Sequence, residues 1–165
     1  MPPRCAQTYK TRAAAGPSLR RVKLSVHLVV PDASAAMDWY ATAFGAQERS
    51  RIPLPGGTVM VVEMQIGDAV VHVASEFPDA GIVSPLTIGG TATVLQLNVE
   101  DVDAAWARAV QAGATVGHEL AETFWGERHG QLTDPFGHRW NLAQRIRDVP
   151  HDELVAAAAQ AFGGG

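Results

Sequence analysis

The sequence predicts an α+β fold made of two tandem βαβββ modules. Three observations carry this. Alternating apolar and polar side chains mark strands, which have a side-chain period of two. Helical spacing interrupts the strands once in each half. The order of elements then recurs with matched residues: Val30, Asp32 and Ala36 return 69 positions on as Val99, Asp101 and Ala105, and Gly45-Ala46 returns 68 positions on as Gly113-Ala114. A repeat of that length means a duplicated module, not a solenoid of short units.

In the first strand, Lys23 to Val30, Leu24, Val26, Leu28 and Val30 alternate with Lys23, Ser25, His27 and Val29. Pro31 to Ser34 stops the strand and supplies helix N-cap residues. The following helix carries Ala36, Trp39, Tyr40 and Ala43 at helical spacing and ends at Gly45, a natural terminator. Strands follow near Gln47–Ile52, Thr58–Gln65 and Ala69–Ala74, separated by the turns Pro53–Gly57 and Gly67-Asp68. Glu76 to Gly90, with Pro78, Gly81, Pro85, Gly89 and Gly90, reads as a linker. The second half repeats the order: strand Thr91–Val99, helix Val102–Ala112, strand Ala114–Leu120, strand Gly126–Thr133, turn Asp134–Gly137 and strand Arg139–Gln144. After Pro150, Asp152 to Phe162 reads as an Ala-rich helix with acids in its first turn, where they suit the helix dipole.

The division is therefore 1–21 as a basic N-terminal extension expected to be disordered, 22–148 as one domain and 149–165 as a C-terminal helix and tail. Within the domain, module one spans 22–76, the linker 77–90 and module two 91–148. Residues 1–21 hold Arg4, Lys10, Arg12, Arg20 and Arg21 and no acid, so the rest of the chain carries −9 against −4 overall. An acidic body argues against a nucleic-acid partner. No apolar run reaches membrane-spanning length, and no secretory signal is visible in the extension, so the expected location is the cytoplasm. The single cysteine, Cys5, excludes an internal disulfide and a Cys-based zinc site.

Several short stretches together resemble a known superfamily. They are Val29–Ala33, Trp39-Tyr40 with Phe44–Ala46, Ile66–Asp68, Val99–Asp103, Ala112–Ala114, Trp125–Arg128, Asp134–Trp140 and Asp148–Pro150. In this order they resemble the vicinal oxygen chelate superfamily of glyoxalases, bleomycin-resistance proteins and dioxygenases, closest to its PhnB-like group. The resemblance implies the glyoxalase/bleomycin-resistance/dioxygenase fold, with a cavity between curved sheets. It also implies a homodimer, often with the cavity near the interface. Function stays open, because the fold carries metalloenzymes and metal-free binders alike.

Metal-dependent members place ligands on the first and last strand of each module, which on this sequence implies Ser25, His72, Val94 and Asn141. Only His72 is a good ligand among these, because divalent ions of this class want imidazole or carboxylate donors. No cofactor is therefore expected. If a divalent metal binds, His72, His27 and Glu63 are the candidate set. The strand parity places Ser25, His27 and Val29 on one face, and Val94, Gln96 and Asn98 on the equivalent face of module two. With His72, Arg139 and Asn141 these line the implied cavity, a mixed surface suited to a small organic ligand. His27 and His72 are the candidate catalytic residues, since histidine exchanges protons near neutrality.

Trp125 and Arg128 are ligand candidates as a stacking plane and an anion grip. The alternative for them is a core tryptophan and a structural Arg–acid pair. Trp39, Tyr40, Trp106 and Trp140 read as core, while His118, His129, His138 and His151 read as surface. Three functions stand side by side: a metal-free binder of a small molecule; a metal-dependent lyase, isomerase or dioxygenase; and a regulatory or protein-interaction module.

Overall fold

Alternating strands need a partner layer for their apolar face, and the computed structural model, which describes residues 24–163, shows how two short helices provide it. In chain order the elements are β1 (Val26–Val30), α1 (Ala33–Phe44), β2 (Gln47–Pro53), β3 (Val59–Ile66), β4 (Ala69–Ser75), a 3-10 turn (Pro78–Ala80) and α2 (Pro85–Ile88). They continue with β5 (Val94–Asn98), α3 (Val102–Gln111), β6 (Thr115–Glu122), β7 (Glu127–Thr133), β8 (Arg139–Arg145) and α4 (His151–Phe162). The basic stretch 1–21 lies outside the described residues.

The elements form two four-stranded sheets of matching topology, β1-β4-β3-β2 and β5-β8-β7-β6. In each, the first strand is parallel to the last, and the other pairs are antiparallel. Asp32 caps α1 by accepting from Ser34 N at 2.7 Å and Ala35 N at 3.1 Å, and Asp101 caps α3 by accepting from Ala104 N at 2.9 Å. Gly45, in the left-handed region at φ 68°, closes α1. The duplicated residues thus perform duplicated structural tasks.

The turn residues of 77–90 predict an irregular linker. The structure places the 3-10 turn and α2 there. Ser84 caps α2, Pro85 opens it and Gly89 ends it, so the turn residues that broke the strand pattern also wind one helical turn.

Leu28, Val30, Val62, Met64, Val71 and Val73 are buried on the sheet face beneath α1, against Ala33, Ala36, Met37 and Tyr40. In module two, Leu132 and Leu142 pack beneath α3 against Val102, Ala105 and Ala109. The two cores merge. Trp140 of β8 is buried in the module-one cluster, and Leu95 and Leu97 of β5 pack against it. Trp39 Nε1 donates to Ala112 O at 2.8 Å, tying α1 to the end of α3. Helices α1 and α3 therefore cover one side of both sheets, and the opposite side, free of these two helices, is the helix-free face. The aromatic residues read as core are buried or half-buried. His138 departs from expectation: it is 9% exposed, with Nε2 3.0 Å from Val29 O. Asp134 Oδ1 accepts its backbone N–H at 2.9 Å and turns the ring toward β1. No helix among the described residues is long and apolar enough to cross a membrane.

Candidate functional site

The register settles what lies together on the helix-free face. His27 stands opposite His72, His72 opposite Glu63, and Glu63 opposite Ser50, in one row across sheet one. The equivalent row of sheet two is Gln96, Asn141, Gln131 and His118. So the partner of His72 in its row is His27, not Ser25, and the partner of Asn141 is Gln96, not Val94. Ser25 lies just before β1, and Val94 pairs with Arg139. Counting along the chain therefore names Ser25 and Val94, which do not share a row with His72 and Asn141.

The imidazoles of His27 and His72 stack, with centroids 4.5 Å apart and planes inclined by 15°. His72 Nε2 lies 3.4 Å from Glu63 Oε2, and Arg49 Nε lies 3.5 Å from Glu63 Oε1. With the imidazole proton on Nε2, facing the carboxylate, His72 Nδ1 is a buried acceptor with no donor. In the equivalent row the amides satisfy each other: Gln131 Nε2 donates to Asn141 Oδ1 at 3.1 Å, and Gln96 Nε2 to Asn98 Oδ1 at 2.9 Å. One module presents ionisable groups where the other presents carboxamides.

Some members of the fold hold a divalent metal, and His27, His72 and Glu63 are the residues to test for it. As placed, they do not fit. Stacked rings direct their nitrogen lone pairs within separate parallel planes, so one ion cannot lie in both. Among the described residues no three His, Cys, Asp or Glu side chains converge as a metal-holding group.

Three hollows surround these rows. A crevice of about 210 Å³ at the seam between β1 and β5 is lined by His27, Val26, Leu28, Leu95, Thr93 and Arg139, under Pro85 and Ile88 of α2. An open depression of about 650 Å³ holds Ser25, Arg49, Glu63, Asp68 and His72. A third, of about 380 Å³, lies near Phe44, Asp68, Gln96, Asn98 and Arg108. His27 and Arg139, one from each module, both line the seam crevice. Ser25 and His72 share the depression, and Gln96 and Asn98 the third hollow. Asn141 lines none of the three.

Trp125 and Arg128 also stand apart from these hollows. Arg128 donates to both oxygens of Asp103, at 2.7 Å and 3.0 Å, which holds the Asp103 carboxyl below its ordinary pKa and raises that of Arg128. Trp125 Nε1 donates to Glu127 Oε2 at 2.9 Å. Sequence reasoning missed Thr93 and α2 as lining elements. Thr93 has the opposite parity to the residues expected in the cavity, and it lines the crevice from the segment just before β5.

Known proteins share this architecture. TioX from Micromonospora sp. ML1 superposes with a TM-score of 0.60 at 26% identity, over 78% of this chain and 100% of TioX. The PhnB protein from Bacillus cereus, at 18% identity and TM-score 0.57 over 74% of this chain and 99% of that one, shares the fold. In sequence, an uncharacterized protein of Mycobacterium tuberculosis is 42% identical over 137 residues, covering 81% of each chain. Residues 23–142 match the family model of the glyoxalase group. The chain belongs to the Glyoxalase/Bleomycin resistance protein/Dioxygenase superfamily.

Proposed function

We propose that this protein binds a small organic molecule in the seam crevice and needs no catalytic metal to do so. The supporting observation is that His27 of module one and Arg139 of module two line one crevice with an apolar wall of Val26, Leu28, Leu95 and Ile88. A few directed polar groups in an apolar shell are what small-molecule sites use. Its volume, about 210 Å³, falls below the ~300–1,000 Å³ usual for drug-sized ligands. The ligand is therefore a single ring or a short chain. The expected assembly is a homodimer, and the expected location the cytoplasm.

A second reading is an enzyme with His27 as general acid or base. The placement of His72 favours it, since Glu63 lies 3.4 Å from His72 Nε2 and holds the ring on which His27 stacks.

A thermal-shift screen of single-ring and short-chain compounds on the full chain, followed by calorimetry and product analysis, tests both. Saturable binding without product supports the binder. Turnover that disappears in His27→Ala moves the conclusion to the enzyme. No binding across the screen sinks both.

A further inference from the structure

We propose that the seam crevice selects a small organic oxyanion, a carboxylate or a phosphate ester, and that Arg139 holds its charge. This rests on the crevice being a ligand site and names the class of ligand it takes.

Arg139 differs from the other arginines. Arg49, Arg51, Arg128, Arg145 and Arg147 each lie against a carboxylate. Among the described residues, only Arg108 and Arg139 have no acidic partner. Arg108 is exposed on α3, where water screens its charge, whereas Arg139 is half-buried. Its guanidinium donates to Thr91 O at 2.7 Å, and its Nε is shielded from solvent with no acceptor. A cation withdrawn from water without a counter-charge is unfavourable until an anion arrives.

The surroundings point the same way. Among the described residues no Asp or Glu lines the seam crevice or the neighbouring hollow of about 490 Å³ that Arg139 and Thr91 also line, whereas Glu63 and Asp68 line the open depression and Asp68 the third hollow. On a chain of net charge −4, an acid-free crevice holding an unpaired guanidinium is a local positive site. Thr93 and His27 add polar groups that can share an oxyanion's oxygens, and the apolar wall takes the body of the ligand. The guanidinium fork matches carboxylate and phosphate oxygens in pairs.

The test titrates the full chain at pH 7 with benzoate, phenyl phosphate, inorganic phosphate and neutral benzamide, by calorimetry and by NMR of the histidine rings. Benzoate or phenyl phosphate should bind saturably, at least about tenfold tighter than benzamide, and rising salt should weaken the binding. Whichever of the two binds tighter separates carboxylate from phosphate recognition. Arg139→Gln should lower the affinity by about tenfold or more, with Arg139→Lys between it and the unaltered chain. Benzamide binding as tightly as benzoate overturns the oxyanion and leaves the ligand crevice standing. Inorganic phosphate binding as tightly as phenyl phosphate removes the organic part of the proposal. Failure of all four to bind overturns the oxyanion proposal, while a neutral hit in the wider screen would preserve the crevice. Should Arg139→Gln not fold, the benzoate–benzamide comparison on the unaltered chain decides.

Discussion

The Tyr40 hydroxyl of α1 donates to Asp134 Oδ2 at 2.7 Å, joining the two modules across 94 positions of sequence. Trp140 Nε1 donates to the same oxygen at 2.9 Å, and the backbone N–H groups of Phe136 and His138 donate to Oδ1, each at 2.9 Å. One buried carboxylate thus receives four donors. Burial, and then the charge of Asp134, push the Tyr40 phenol well above its ordinary pKa of 10.0. The folded protein then keeps this proton at pH values where the unfolded chain releases it, so stability falls as pH rises past about 10. Urea titrations from pH 7 to 11 should show that decline, and Tyr40→Phe should remove this residue's part of it. At pH 7 the same substitution should cost about 1–3 kcal/mol, because it removes one of the donors to a buried carboxylate.

Gly130 of β7 lies beneath the indole of Trp106. A Cβ at this position would sit 2.6 Å and 2.8 Å from two ring carbons, so Gly130→Ala must displace the ring from the sheet. The expected loss is about 1–3 kcal/mol, the usual cost of overpacking. Chemical denaturation measures it. A compensating Trp106→Leu in the same chain should recover part of the loss.

Arg128 spends its guanidinium on Asp103, linking β7 to α3. Arg128→Ala should leave ligand affinity unchanged and lower the melting temperature slightly, since exposed ion pairs contribute little. Calorimetry with the ligand that binds the unaltered chain checks this. A large loss of affinity with the fold intact would return Arg128 to the binding site.

Nickel, zinc, manganese and iron(II) should each leave the melting temperature unchanged, because the His27 and His72 rings stack instead of converging. Elemental analysis of protein purified without chelator complements the thermal scan. A stoichiometric ion that is lost in His27→Ala and in His72→Ala would show that the rings turn to meet it, and would reopen the metalloenzyme reading.

Most of the fold was legible because the chain states its pattern twice. The strands and helices fall within a few residues of the ranges read from alternation and spacing, and the 69-residue offset reappears as matched registers in the two sheets. The one-turn helix α2 was not legible, since four residues carry no periodicity. Strand parity also placed His27, His72 and Arg139 on the helix-free face. It could not show that His27 stacks on His72, because stacking depends on the register between β1 and β4. Asp134 reads as an ordinary Asp-Pro turn, and nothing local announces that its carboxylate is buried beneath Tyr40. His138 escaped for the same reason, being drawn inward by that turn.

In both halves the parallel strands come from equally distant parts of the chain: Val26 meets Val71 and Val94 meets Arg139, each 45 residues on. The entropy lost in closing a loop depends on its length, so the two halves face a matched obstacle and neither has a head start. The hairpins β2–β3, β3–β4, β6–β7 and β7–β8 need only short closures and can form first. The edge strands β1 and β5 must then be captured over long distances, which slows folding relative to a helical protein of this size. The bond from Tyr40 to Asp134 spans the two modules, so it can form only once α1 and the β7–β8 turn have been brought together.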